Sequence, residues 1–345
     1  MKNPDAPPVN EQLKTILRAL TIQSAETFSF AGRQFDSASF GSRQAPAGYS
    51  PQGNPLVVAL QTCLYAHCYC QPFRENLADA PAAASPPRDI SEELSHANNG
   101  KARWDSGWQI LRIETTGQVT AQKAGKVRAL WPGEFLTYDG PGVPPRAGSQ
   151  VSVYFPKESK TMQPGFYFAF GEADADFSDD PRLARFYWNI PEAGAAPLTR
   201  WITQVLNRYQ VPFRYKCLTM GNYFERSDAA VLYVNKKFFR FAAELIAGGY
   251  EKLQPFLRRE TPLFARQLAP GLGLAEDPGN GESFGMNRCR IFAEGIWNAF
   301  AKGLSTEEEK MREVAQCFAG YGLDLERAYL NARSGDFYDT PDFAG

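Results

Sequence analysis

Apolar and polar positions fall into three textures along the chain. Residues 10–21 (NEQLKTILRALT) set Leu13, Ile16, Leu17 and Leu20 at helical spacing. Asn54-Pro55 opens a second helical run with Leu56, Ala59, Leu60, Cys63, Leu64 and His67 on one stripe. From about Leu77 to Gly100 the sequence turns to Ala, Pro, Ser and charge and reads as a linker or mobile loop. From Trp104 come short runs split by Gly, Asn or Pro: GWQILRIE, QVTAQKAG, KVRALW and EFLTYDG. They predict an antiparallel meander that SQVSVYFPKE and PGFYFAFG continue.

After Ala196 helices and strands mix. LTRWITQVLNRYQ is amphipathic, VPFRYKCLT and AAVLYVN read as strands, and FFRFAAELIAGGYEKL, MNRCRIFAEGIWNAFAKGL and EEEKMREVAQCFAGYG read as helices. Without regular strand–helix alternation, the expected class is α+β, with mixed, mostly antiparallel sheets and packed helices. The expected division is a helical N-terminal region at 1–75, an Ala/Pro-rich linker or loop at 76–103, a strand-rich subdomain at 104–175 and an α+β core at 176–345.

Composition narrows the chemistry. The 345 residues are 43% hydrophobic with a net charge of −1, which argues against a general nucleic-acid binder. No apolar run is long enough to span a bilayer, and the polar, proline-rich start lacks a secretory pattern, so the expected location is cytoplasmic, away from membranes. The six cysteines form no spaced framework, and the two histidines leave a Ser/His/Asp or Cys/His hydrolase little support. The cluster Cys63, His67, Cys68 and Cys70 is bunched at one helix end without a second knuckle, so a metal is not expected there.

The remaining candidates are cationic. Alternation in VPFRYKCLT puts Arg214, Lys216 and Leu218 on one strand face. Either Lys216 is a snorkelling strand lysine, or partial desolvation beside other cations lowers its amine's pKa and lets it act as a general base. In RFYWNI, Arg185, Tyr187 and Asn189 share one face, lining a cleft or facing water. Arg226 precedes the strand that carries Tyr233, with Asp228 placed to orient it, to shape the turn or to do chemistry. Arg288 lies four residues before Phe292, on the apolar stripe of a helix, where an inward arginine in the first turn fits a bound phosphate or carboxylate. Arg290 lies four before Glu294 and fits an exposed pair. The glycine-rich stretch 270–281 matches neither a dinucleotide fingerprint nor a P-loop. It is either a structural loop or a flexible one that offers Glu276, Asp277, Asn280 and Glu282 to a peptide.

RFYWNI, VPFRYKCL, YFERSDAAVLYV and, most specifically, TPLFARQLAPGLGLAEDPGNGESFGMNRCRIFAEG resemble the HopA-type type III effector family. The resemblance covers roughly 104–330 and is strongest over 185–300. That family occurs in plant-pathogen effectors and as the lyase partner of class V lanthipeptide synthetases and related thioamitide systems. The resemblance implies a phosphothreonine-lyase-like core and a carbon–oxygen lyase. The implied substrate is a precursor peptide phosphorylated by a kinase-like partner, and the product is dehydroalanine or dehydrobutyrine. Such an elimination needs neither a metal nor an organic cofactor.

It also implies roles: Lys216 as base, Arg226 and Tyr233 at the following strand, Arg288 and less firmly Arg290 on the phosphate. Arg185 would reach the phosphate and Tyr187 would stand where the fold's relatives keep a histidine acid. That histidine is missing here. Either Tyr187 or Tyr233 supplies the proton, or the arginines stabilise the departing dianion unaided. The strands of 104–175 are a further expectation, as a leader-peptide dock by strand addition. Two other readings stand beside the lyase: a non-catalytic phosphopeptide- or kinase-binding scaffold, and a secreted effector acting on host phosphoproteins.

Overall fold

The structure, a computed structural model, describes residues 8–40, 53–79, 88–140, 142–173, 182–341 and 343. The fold is α+β: three antiparallel sheets with packed helices. Among the described residues no helix is long and apolar enough to cross a membrane.

The N-terminal region holds more than helices. Helix α1 (Val9–Arg18) is followed by β1 (Leu20–Ile22), β2 (Thr27–Phe30) and β3 (Arg33–Asp36), which form a small sheet. Phe30 pairs with Arg33, so Ala31-Gly32 is a two-residue hairpin loop with φ of 47° and 78°. Positive φ at both loop positions matches the right-handed twist of the flanking strands. Helix α2 (Pro55–Leu64) starts at Asn54, whose side chain accepts the Leu56 N–H at 2.9 Å. It runs directly into a π-turn at Tyr65–Tyr69.

The Ala/Pro-rich stretch at 80–87 lies outside the described residues. Beyond it the expected linker is structured, with α3 at Ser91–Ala97. Ile90, Leu94 and Ala97 are buried at helical spacing, a stripe masked by the charged residues between them.

The strand-rich run divides between two sheets. Strands β4 (Arg103–Ile113), β5 (Val119–Lys123), β6 (Lys126–Leu130), β7 (Phe135–Thr137) and β8 (Gln150–Phe155) form a five-stranded sheet, order β6-β5-β4-β8-β7. It has its own apolar cluster, centred on Trp108, Ile110, Val151 and Val153. Strands β9 (Glu158–Gln163) and β10 (Phe166–Phe170) instead join the C-terminal half.

There they meet β11 (Leu183–Trp188), α4 (Glu192–Arg208), β12 (Arg214–Leu218), β13 (Ala230–Asn235), α5 (Phe239–Leu253), β14 (Arg266–Ala269), β15 (Leu272–Glu276), α6 (Phe284–Ala301) and α7 (Glu307–Gly320). The seven-stranded sheet has the order β14-β15-β11-β13-β12-β10-β9. One face packs on α4 and α5: Phe186 stacks on Phe239 at 5.4 Å, and the Thr199 and Tyr215 hydroxyls are 3.3 Å apart. The other face meets the π-turn and the start of α6, through Tyr187 against Tyr69 and Phe284. The N-terminal helices and this half therefore share one apolar core.

Candidate active site

Strand alternation and register gather the cationic side chains on that second face. In one row across the sheet Arg185 is opposite Tyr233, and Tyr233 opposite Arg214; in the next, Tyr187 is opposite Val231, and Val231 opposite Lys216. Three cations surround the Tyr233 ring: the Arg214 guanidinium 4.6 Å from its centroid, Arg185 5.2 Å and the Lys216 Nζ 6.0 Å away. Burial pushes the phenol's pKa up, but the charges of Lys216, Arg185 and Arg214 outweigh it and hold Tyr233 below its ordinary value. Tyr187, one row away, is pushed up to about 12 by burial, against the pull of Arg185. Its hydroxyl is buried without a partner at hydrogen-bond geometry.

Lys216 is half-buried at the mouth of this face. Its Nζ lies 4.5 Å from the Phe166 ring centroid and 3.5 Å from Gln163 Oε1. Among the described residues it has no carboxylate partner, unlike Arg185 and Arg226.

Those arginines are gripped in the same way. Asp277 Oδ2 accepts from Arg185 Nε at 2.9 Å and Nη2 at 2.6 Å. Asp228 accepts from Arg226 Nε and Nη2, both at 2.8 Å. Burial works against each charge, and the neighbouring anionic groups more than offset it, so both pKa values lie above the ordinary arginine range. In each case the carboxylate holds the Nε/Nη2 edge and leaves the Nη1 edge clear of it. Arg226 is the more accessible, with a quarter of its side chain (25%) exposed.

Other expected site residues are committed to other partners. Arg288 does face inward, but its ligands are neutral: Nε donates to the Ala328 carbonyl at 2.7 Å and Nη2 to the Leu330 carbonyl at 2.8 Å, while Nη1 donates to Asn287 Oδ1. Burial pulls its pKa down to about 10. With each nitrogen donating to a neutral acceptor and the residue buried, Arg288 ties the chain's C-terminal segment to α6. Arg290 is likewise taken up by Glu282, Glu294 and the Tyr321 hydroxyl, including the expected i,i+4 pair.

Glu276 is fully buried and turned to the opposite face from Asp277, as strand alternation requires. There it accepts from the Asn331 N–H, Ser334 and Tyr338 and pairs with Lys236 at 2.6 Å, so it is closed to a peptide. Asn189 is buried and donates to the Glu260 carbonyl at 3.0 Å. Asn280 is exposed, with its Oδ1 accepting the Glu282 N–H in a local turn. Among the described residues no group of three or more His, Cys, Asp and Glu is arranged to hold a metal.

Two aromatic groups were not foreseen. Tyr65, from the π-turn, accepts from Arg226 Nη2 at 3.0 Å, and Tyr69 meets Tyr187 edge to face at 6.4 Å. Nothing local in the sequence links residues 65–69 to residues 187 and 226, because the contact is made by tertiary packing alone. Phe166 faces Lys216 for the same reason.

The model of the HopA1 effector protein family matches residues 157–330. The chain belongs to this family. The HopA1 match contains Arg185, Tyr187, Lys216, Arg226, Tyr233 and Asp277 and leaves out Tyr65 and Tyr69. Two solved structures are similar to part of the chain. The effector protein from Pseudomonas syringae pv. tomato strain DC3000 is 23% identical, with a TM-score of 0.37 over 48% of this chain and 62% of that one. The effector protein from Pseudomonas syringae pv. syringae strain 61 is 19% identical, with a TM-score of 0.35 over 49% of this chain and 63% of that one. The chain thus spans less than two thirds of either effector structure. No curated protein matches it.

Proposed function

We propose that this HopA1-family chain is a phosphopeptide lyase that eliminates phosphate from phosphothreonine or phosphoserine. The observation that carries the reading is one amine and two half-committed guanidinium groups, all within the family-matched segment. Lys216 has no carboxylate beside it, while Arg185 and Arg226 are fixed by Asp277 and Asp228 on one edge and open on the other. Lys216 Nζ takes the α-proton, and the C–H electron pair becomes the Cα=Cβ bond as the Cβ–O bond breaks. The Nη1 edges of Arg226 and Arg185 hold the leaving phosphate. Tyr233, its acidity raised by the surrounding cations, gives its proton to the phosphate oxygen. Tyr187, pushed up by burial, is the weaker donor.

The substrate comes from one of two settings. In the first, a kinase-like protein phosphorylates a precursor peptide and this chain completes the dehydration in the cytoplasm. In the second, an effector acts on phosphoproteins of a host, the setting that the family's name supports. The test is common to both: incubate the protein with a phosphothreonine peptide and follow its mass. Loss of phosphoric acid, abolished by Lys216→Ala, is the expected result. Loss of phosphate with a hydroxyl left behind would mean a phosphatase, and binding without mass change would mean a scaffold.

A further inference from the structure

Arg226 is not positioned by the family-matched segment alone. The segment that completes its setting is the π-turn at the end of α2, outside residues 157–330. The turn is closed by the Cys70 N–H donating to the Tyr65 carbonyl at 2.9 Å, five residues back. Such single π-turns occur frequently at functional sites. This one touches the Arg226–Asp228 loop at two points. The Tyr65 hydroxyl accepts from Arg226 Nη2 at 3.0 Å, and the Cys70 carbonyl accepts the Ser227 N–H at 2.6 Å.

The guanidinium accounting makes the first contact consequential. Asp228 takes the Nε hydrogen and one Nη2 hydrogen; Tyr65 takes the other Nη2 hydrogen. Among the described residues Nη1 has no hydrogen-bond partner, so the fork has one open end. Tyr65 is itself braced. Its ring stacks on Tyr69 at 5.3 Å and 13°, and Arg226 lies 5.6 Å from the Tyr65 centroid. Tyr69 in turn is backed by α6, where a Cβ on Gly285 would come within 2.4 Å of its ring.

We infer that Tyr65 is a positioning residue for the phosphate-binding arginine: its hydroxyl and Asp228 together aim the Nη1 edge of Arg226 at the substrate's phosphate. The inference rests on the lyase reading for the identity of the anion. It makes the α2 π-turn part of the site, so that residues 157–330 by themselves hold an incompletely oriented Arg226.

A double-mutant cycle on the full chain tests it. Binding of a phosphothreonine peptide is measured by calorimetry, and elimination by mass, for wild type, Tyr65→Phe, Arg226→Lys and the double variant. Tyr65→Phe keeps the stacked ring and removes only the oxygen. It is expected to weaken binding about three- to tenfold, the range for the net worth of one typical intramolecular hydrogen bond, with an unchanged melting temperature. In the Arg226→Lys background, where no fork remains to be aimed, the same change is expected to have no effect. An equal loss in both backgrounds, or no loss in either, overturns the positioning role. If wild type binds without eliminating, the lyase reading falls while the cycle still decides the role of Tyr65. If wild type does not bind the phosphopeptide, the inference falls with it.

Discussion

Lys216 Nζ lies 6.0 Å from the centroid of the Tyr233 ring, across two adjacent strands of one sheet face. The lysine's positive charge favours the phenolate and is a main cause of the lowered Tyr233 pKa. In the proposed elimination one side of this pair receives a proton and the other donates one. Lys216→Ala is therefore expected to lower kcat by about 10²–10⁴-fold, the usual worth of a positioned general base. Lys216→Arg should fail comparably, because a guanidinium keeps its proton. Single-turnover assays on a phosphothreonine peptide measure both, and a Lys216→Ala variant with kcat intact would exclude this lysine as the base.

Tyr233 predicts a pH signature. As a proton donor it must be protonated, so the rate should fall as pH rises through its lowered pKa, which lies below the ordinary phenol value. In Tyr233→Phe the residual rate should be lower and this alkaline limb should disappear. The stability linkage runs the other way. A depressed folded-state pKa contributes stability that is complete above the unfolded value of about 10 and is lost as pH falls through the folded value. Loss of activity as pH rises through the lowered pKa would thus occur without loss of fold. A kcat–pH profile paired with melting curves separates the two, and an unchanged alkaline limb in Tyr233→Phe would remove the phenol from the reaction.

Much of this site was legible because strand alternation is a strict rule. Period two alone placed Arg214 and Lys216 together, and Arg185 and Tyr187 together; the antiparallel register of β11, β13 and β12 then joined the pairs. Arg288 shows the limit. Helical spacing correctly turned it inward, yet an inward arginine is satisfied equally by an anion or by carbonyl oxygens. Those carbonyls come from residues 328 and 330, forty residues away in sequence and invisible to any local pattern. Tyr65 was missed for the same reason. The hairpin at Ala31-Gly32 was hidden because its two strands are only four residues each, and α3 because its apolar stripe lies inside a charged stretch.

Arg288 and Arg226 should therefore fail in different ways. Arg288→Ala strips charge-assisted hydrogen bonds from two buried carbonyls and leaves a cavity between α6 and the C-terminal segment. A stability loss on the order of 3 kcal/mol is expected, combining lost hydrogen bonds and newly unsatisfied acceptors. The surviving folded fraction should bind phosphopeptide normally. Arg226→Lys keeps a cation but loses the fork, so its expected effect is weaker phosphopeptide binding with little change in stability. Urea unfolding and calorimetry on both variants test the contrast, and an Arg288→Ala protein that is stable but does not bind would return Arg288 to the phosphate site.

Gly285 links packing to the same chemistry. It occupies the first turn of α6, where Tyr69 lies so close that an added Cβ would come within 2.4 Å of the ring. No rotation of the new methyl avoids this contact, since Cβ is fixed by the backbone, so Gly285→Ala must displace the Tyr69 ring. Tyr69 is buried, stacked on Tyr65 and in edge contact with Tyr187, so the displacement is transmitted to both. Overpacking of this kind costs about 1–3 kcal/mol, which exceeds what alanine gains over glycine in a helix. The expected outcome is a lower melting temperature together with weaker phosphopeptide binding, because Tyr65 moves away from Arg226. Gly248→Ala is the matched control: it also lies within a helix, and an added Cβ there meets nothing within 4 Å. It should stabilise slightly through helix propensity and leave binding untouched. If Gly285→Ala behaved like Gly248→Ala in both measurements, the α2 π-turn would not be held against α6 by this contact.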